Sequence, residues 1–156
     1  MRSQIRIVSA RPDLHHTLAA KLLAIQRSAY EVEAELIGDD RIPILHESVH
    51  ELRDAPLNWL VAFSGADEPV GAVAWKSMGE SVDIDRLVVS PLMHRQGIGR
   101  GLVTALLDAT AESRFAVATG RENKPARALY ESLGFMHVRD EEIVDRLWLA
   151  RYRLDR

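Results

Sequence analysis

The chain has 156 residues, of which 47% are hydrophobic and 28% charged, so residues 1–156 are expected to form one domain with its own core. Its ordinary charge content indicates neither a disordered chain nor a coiled coil, and its net charge of -3 argues against a nucleic-acid-binding protein. It has no cysteine, no apolar run of membrane-spanning length and no signal-peptide core after Met1, so disulfides, thiolate metal sites and membrane spans are excluded and a cytoplasmic protein is expected.

Up to residue 89 the sequence predicts four strands and two helices. Apolar and polar residues alternate around Ile5 and Ile7, which is typical of a short strand. Helical spacing then predicts a helix from the Pro12-Asp13 pair to Tyr30, and the pattern Ser48-x-x-Glu51 predicts a capping box that opens a short second helix. Strand patterns follow at 59–63, 70–75 and 82–89.

The remaining residues continue to alternate between helix and strand patterns. An amphipathic helix is predicted from Ile98 to about Thr110, and Pro125 suits the first turn of a helix that ends at Gly134. Strands are predicted at 115–118, 135–138 and 147–152. The fold class is therefore α/β, as one layer with its strands largely in hairpins.

The stretch from Leu87 to Gly101 carries the most informative pattern, because a strand runs into a glycine-containing loop that opens a helix. Gly97 and Gly99 let a bulky anion approach the backbone, and the free amides of the first helical turn attract it. A pyrophosphate is the natural ligand. The spacing G-x-G-x-G fits neither a Rossmann loop nor a P-loop. A glycine-rich helix start without a ligand is the alternative.

Two motifs in this region resemble the signatures of the GNAT (Gcn5-related N-acetyltransferase) superfamily. The pattern Ile84-x-x-Leu87-x-Val89-x-Pro91, followed by residues 96–99 (Gln-Gly-Ile-Gly), is similar to the acetyl-CoA motif of that family. Residues 123–135 match the second signature, N-x-x-A-x-x-x-Y-x-x-x-G-F, at every defining position. His94 departs from the pattern, since the family usually has Arg or Gln there, although a protonated histidine can still donate to phosphate.

The resemblance implies the GNAT fold, a mixed and mostly antiparallel sheet of six to seven strands flanked by about four helices. It implies direct attack of a primary amine on acetyl-CoA in a ternary complex, without a metal. The backbone from Leu87 to Val89 would pair with the pantetheine arm, and the Leu87 amide would stabilise the oxyanion. The residues expected to bind acetyl-CoA are Leu87, Val88, Val89, His94, Arg95, Gln96, Gly97, Ile98, Gly99, Arg100, Gly101, Asn123, Ala126, Arg127 and Tyr130.

Catalysis by such an enzyme needs a proton donor and a base. Tyr130 is the predicted donor, because a phenol with a pKa of about 10 can protonate the leaving thiolate. Asp83 and Asp85 are the predicted bases, since the two-residue period of a strand puts them on one face with Leu87. Core packing of the tyrosine and simple solvation of the aspartates are the alternatives. Glu31 and Glu33 are second candidates for the base.

Residues 31–54 contain eight acids and two arginines. In the GNAT family this segment usually lines the acceptor pocket, so its charge favours a cationic acceptor, small molecule or peptide. The alternative is a solvated acidic face. The sequence His46-Glu47-Ser48-Val49-His50 matches the zinc pattern H-E-x-x-H, but the capping box at Ser48 would leave His46 outside the helix, so no metal site is predicted.

The competing function is a catalytically silent acyl-CoA-binding module. The tyrosine at position 130 and the aspartate pair favour the enzyme, because a silent module would not need those groups. No nucleic-acid or membrane partner is expected. Homodimers are common in the GNAT family, and the sequence leaves the oligomeric state and the acceptor amine open.

Overall fold

The computed structural model describes residues 4–65, 67–94 and 96–156. Within these residues the chain forms seven strands and four α-helices. The strands are β1 (Ile5–Ala10), β2 (Asn58–Ser64), β3 (Glu68–Met78), β4 (Ser81–Val89), β5 (Arg114–Gly120), β6 (Met136–Val144) and β7 (Leu147–Asp155). The helices are α1 (His16–Ile37), α2 (Val49–Asp54), α3 (Ile98–Ala109) and α4 (Lys124–Ser132). None of the helices in the described residues combines the length and the hydropathy of a membrane-spanning segment.

All seven strands join one sheet in the order β1-β2-β3-β4-β5-β7-β6. Neighbouring strands run antiparallel except β4 and β5, which are parallel. That parallel pairing covers only Ser81–Asp83 against Arg114–Ala116, so the two strands separate beyond Asp83. The mixed, mostly antiparallel sheet with flanking helices confirms the predicted fold class.

Helices cover the two faces of the sheet and create two apolar cores. The first helix pair packs on one face, where α1 and α2 bury Ala19, Leu22, Leu52, Trp59 and Val61. The other face lies under α3 and α4, with a core that includes Leu102, Leu106, Phe115, Tyr130 and Tyr152. The sheet therefore presents an α1 side and an α3 side, and these two names are used below.

Helix α1 extends past its predicted end at Tyr30 to Ile37. No glycine or proline interrupts residues 31–37, and Gly38, with a φ of 70° in the left-handed region, ends the helix. The additional turns carry Glu33 to the end of β5, where its Oε1 lies 3.4 Å from the amide nitrogen of Gly120. A Cβ at Gly120 would lie 3.0 Å from the Ile37 side chain, so this close approach favours glycine.

A β-bulge interrupts β4 at Asp85. Trp75 of β3 pairs with Ile84, and the preceding Ala74 pairs with Arg86, so Asp85 has no partner in the register. One extra residue shifts the alternation of a strand, and every later side chain changes face.

The bulge makes the predicted common face of Asp83, Asp85 and Leu87 wrong. Ile84 belongs to the α3-side core, and Leu87 packs against that same core although it lies three positions later, an offset that would put it on the opposite face of a regular strand. Asp83 alternates with Ile84 and therefore points to the α1 side, whereas the Leu87 side chain lies beneath α3. The prediction assumed the two-residue period of a regular strand. The extra residue at Asp85 is visible only in the pairing of β4 with β3.

Candidate active site

A cavity of about 670 Å³ opens where β4 and β5 separate. Six parts of the fold line it: the C-terminal half of α1, the segment 42–44, the middle of β4, strand β5, the start of α4 and the β6–β7 hairpin. Of the predicted catalytic residues, Asp83, Asp85, Leu87 and Tyr130 all line this cavity. Residues 45 positions apart are thus brought together at the gap in the sheet.

Tyr130 reaches the cavity from α4. Its side chain is buried, with 4% of the residue exposed, and its ring packs edge-on against Phe135 at a centroid distance of 5.4 Å. Burial, with the nearby negative charge of Glu33 as a second cause, raises the pKa of the phenol above its usual value. The hydroxyl is therefore protonated at neutral pH and can donate a proton.

Tyr30 is a second cavity tyrosine, which the sequence did not single out. It lies on α1 and is half-buried at the cavity wall. Burial is again the main cause that raises its pKa, followed by the charge of Glu33. At the level of sequence Tyr30 is one apolar position in a helical pattern, so no local signal distinguishes it from core.

Three acids around the cavity have different environments. Asp83 is half-buried, and desolvation raises its pKa, opposed by Lys76 and supported by the charge of Asp85. Asp85 is ion-paired with Arg86 through a contact of 2.6 Å. Glu33 is half-buried and lines the cavity, whereas Glu31 is exposed and does not line it.

Arg86 is the central residue of a buried polar network that the sequence analysis missed. Its side chain is 4% exposed, and its guanidinium lies 5.6 Å from the ring centre of Trp59. Nη1 donates to Oε1 of Gln26 at 2.9 Å and to Oε1 of Glu47 at 2.6 Å, and Nη2 donates to Oε2 of Glu47 at 3.2 Å. The only sequence signal is a charged residue at a position where the strand pattern calls for an apolar one.

The same network fixes the segment that connects α1 and α2. Gln26 donates from Nε2 to the carbonyl of Ile44 at 3.2 Å and to Oε1 of Glu47 at 3.0 Å. Ile44 belongs to a single 3₁₀ turn at Pro43–His46, and its side chain lines the cavity. Arg86 and Gln26 therefore hold this wall of the cavity against β4.

The H-E-x-x-H pattern does not lie in one helix. His46 ends the 3₁₀ turn, Ser48 caps α2 with the predicted box to Glu51, and His50 lies within α2. The predicted capping box is confirmed. Glu47 is the partner of Arg86, and the described part of the chain holds no group of three or more histidine, aspartate or glutamate side chains suited to a metal ion.

The glycine loop begins α3 as predicted. Gly97 is the N-cap residue, with a φ of 74° in the left-handed region, and nothing lies within 4 Å of a Cβ built on it. Gly99 has a different local role, because a Cβ there would lie 3.3 Å from Leu129 and 3.8 Å from Leu87 and Val89. Gly97 thus provides open backbone at the helix start, and Gly99 allows close packing of α3 against Leu129 of α4.

The other predicted acetyl-CoA contacts divide into exposed and structural positions. His94 and Gln96 are exposed beside the loop, and Arg95 lies outside the described residues. Arg100 is exposed and donates to Ser132 at 2.6 Å, and Gly101 closes the first turn of α3 on Gly97. Two side chains are buried in the two cores: Val88 on the α1 side and Ile98 on the α3 side.

The start of α4 contributes two of its predicted residues to the cavity. Asn123 and Ala126 line it, and Oδ1 of Asn123 accepts from the amide of Ala126 at 3.2 Å as a helix cap. Arg127 points elsewhere: it donates to the Tyr152 hydroxyl at 2.8 Å and to the carbonyl of Arg121 at 2.8 Å. Its contacts tie α4 to β7.

The sequence of this chain is similar to those of known proteins. The sequence model of the Acetyltransferase (GNAT) family matches residues 19–135. UPF0157 protein YqkA from Bacillus subtilis (strain 168) is 32% identical over 139 residues, which is 88% of this chain. The chain spans only 40% of the length of that relative.

Solved structures share the fold at low sequence identity. The ribosomal-protein-S18-alanine N-acetyltransferase from Escherichia coli has a TM-score of 0.75 at 18% identity, over 97% of this chain and 94% of its own. The PaiA N-acetyltransferase from Thermoplasma acidophilum, solved in complex with coenzyme A, has a TM-score of 0.73 at 14% identity, over 95% of this chain and 98% of its own. Because the family model matches most of its length, the chain belongs to the GNAT family of acetyltransferases.

Proposed function

We propose that this protein transfers an acetyl group from acetyl-CoA to a primary amine by direct attack in a ternary complex. The observation that carries the proposal is the cavity between the separated strands β4 and β5, with Tyr130 and Asp83 both in its wall. One group is a protonated phenol and the other a half-buried carboxylate with a raised pKa. They supply the two proton-transfer functions that amide formation from a thioester requires.

The residues present fit an extended acyl-CoA. Beyond Asp83, the edge of β4 that faces β5 has no strand partner in the described register, so its amides and carbonyls are available to an extended amide-containing chain. The start of α3 at Gly97 offers free amides and a positive dipole end to a pyrophosphate. These two features explain the first motif, residues 84–99, by backbone chemistry.

In the proposed reaction the amine nitrogen bonds to the thioester carbon, and the carbon–sulfur bond breaks. The Leu87 amide donates to the developing oxyanion. Tyr130 donates its proton to the departing sulfur, and the proton lost by the amine passes to a carboxylate in the cavity. No acyl-enzyme intermediate is needed, which is compatible with a chain that lacks cysteine.

Asp83 is the better candidate for that carboxylate. Burial raises its pKa and hence its basicity, while Asp85 is engaged by the Arg86 guanidinium at 2.6 Å. Glu33 is the second candidate, since it lines the cavity and its charge contributes to the raised pKa values of Tyr30 and Tyr130. The same carboxylates would attract a protonated amine before it reacts.

The test is a screen of primary amines with acetyl-CoA, followed through release of free CoA. The expected result is turnover with at least one amine, reduced in Tyr130→Phe. A protein that binds acetyl-CoA by calorimetry yet acetylates no amine would contradict the proposal and favour the silent acyl-CoA-binding module. A protein that binds no acetyl-CoA would contradict both.

A further inference from the structure

The cavity wall formed by the β6–β7 hairpin carries surplus positive charge. Arg139 of β6 and Arg151 and Arg153 of β7 line the cavity. Glu141 forms ion pairs with both Arg139 and Arg151, and Asp155 forms ion pairs with both Arg114 and Arg153. Four arginines thus share two carboxylates, which cannot neutralise them all.

Strand register places these arginines in line with Asp83. Asp83 of β4 pairs with Ala116 of β5, and Ala116 pairs with Arg153 of β7. Directly paired residues point to the same face, so Asp83 and Arg153 both lie on the α1 side with only an alanine between them. Two strand spacings separate their backbones by about 10 Å.

The next row of the sheet repeats this arrangement. Ala118 of β5 pairs with Arg151, which pairs in turn with Arg139 of β6. Ala116 is exposed and Ala118 is half-buried. The surface between Asp83 and the arginines therefore carries only small side chains and is accessible to a ligand. The charge of Arg151 also acts on Asp83, where it lowers the pKa against the larger effect of burial.

From this juxtaposition we infer that the acceptor is a small amine that also carries an anionic group, a carboxylate or a phosphate. The amine would face Asp83 and Glu33, and the anionic group would face Arg151, Arg153 and Arg139. The inference rests on the proposed N-acetyltransferase function and narrows its substrate class. It also refines the sequence-based expectation of a cationic acceptor, because only the reacting end would be cationic.

Two physical points favour this class over a simple polyamine. The planar guanidinium matches carboxylate and phosphate with paired hydrogen bonds. A second ammonium group placed against the same arginines would meet like charge, which is unfavourable. Three of the eight acids in the 31–54 segment are already engaged elsewhere, since Asp39 pairs with Arg41, Glu47 pairs with Arg86 and Glu51 caps α2.

The experiment compares acceptors of matched length: butylamine, putrescine, γ-aminobutyrate and aminopropyl phosphate, with longer and shorter members of each series. We expect kcat/KM for an anionic amine to exceed that of its matched alkylamine about tenfold or more, and putrescine to be the poorest. The γ-aminobutyrate and aminopropyl phosphate arms distinguish carboxylate from phosphate. A preference for putrescine or butylamine would overturn the inference.

Variants test whether the arginines cause the preference. Arg151→Gln and Arg153→Gln should each lower kcat/KM for the anionic amine about tenfold more than for the alkylamine, and Arg153→Lys should retain part of the activity. Arg6→Gln is the matched control, because Arg6 is similarly exposed but lies on β1 at the opposite edge of the sheet. Equal losses for both acceptors would overturn the inference. Turnover without any preference would refute the inference alone, whereas no turnover with any amine would refute the proposed function itself.

Discussion

Removal of the Glu47 carboxylate gives the sharpest test of the buried network. In Glu47→Ala the Arg86 guanidinium keeps its position inside the protein but loses two charge-assisted hydrogen bonds, at 2.6 and 3.2 Å. Gln26 loses the same carboxylate as an acceptor for its Nε2. Both ion-pair partners are well shielded, since their side chains are 4% and 12% exposed.

The expected cost follows from that burial. Breaking a buried ion pair on one side typically costs about 3–5 kcal/mol, because a charge is left without compensation. Asp85 remains as a second counter-ion 2.6 Å from Arg86, so we expect the low end of that range, about 3 kcal/mol. For a domain of this size such a loss corresponds to a decrease in Tm of roughly 6–12 °C.

Urea denaturation followed by tryptophan fluorescence measures this loss, since Trp59 lies directly beside Arg86. The control is Glu35→Ala, which removes an exposed acid of α1 and should change the free energy of unfolding by less than about 0.5 kcal/mol. The double variant Glu47→Ala/Arg86→Met should lose less than the sum of the single losses, with a coupling of about 1–3 kcal/mol. A loss below about 1 kcal/mol in Glu47→Ala, or strict additivity, would show that the pair behaves like a surface ion pair.

The other predictions concern catalysis, cofactor binding and packing. Tyr130→Phe should lower kcat by about 100-fold with little change in acetyl-CoA affinity measured by calorimetry, and an unaltered kcat would mean that Tyr130 only packs. Asp83 can act as a base only when its carboxyl group is deprotonated, so kcat/KM should fall as pH drops through its pKa. Because burial raises that pKa, the fall should begin at a higher pH than for an exposed aspartate. The pH–rate profile of Asp83→Asn should lack this limb, and a retained limb would assign it to another group such as Glu33. Gly97→Asp should sharply reduce acetyl-CoA affinity with a native circular dichroism spectrum, since it adds negative charge and a strained left-handed residue at the helix start; calorimetry showing equal affinity would disprove the site. Gly71→Ala should destabilise the protein by about 1–3 kcal/mol in thermal melts, because its Cβ would lie 2.9 Å from the carbonyl oxygen of Val88, and a variant as stable as the wild type would contradict this packing.

The elements that depend on local interactions could be predicted from the sequence alone. The helix start at Ser48 depends on hydrogen bonds within a few residues, and the predicted box is present. The helix start at Gly97 and the end of α4 at Gly134, whose φ is 95°, likewise follow from glycine at positions that need it. The two motifs predicted the family because each is a short run of residues that the sequence contains in full.

The assembly of the site depends on contacts between residues that are far apart in the sequence. The bulge at Asp85 arises from pairing with β3, and it reversed the predicted face relation between Asp83 and Leu87. Arg86 finds Glu47 and Gln26 at separations of 39 and 60 residues along the chain. The row from Asp83 to Arg153 exists because β7 pairs with β5 in one particular register. Such contacts depend on which strands are neighbours and in what register, and no short sequence window contains that information.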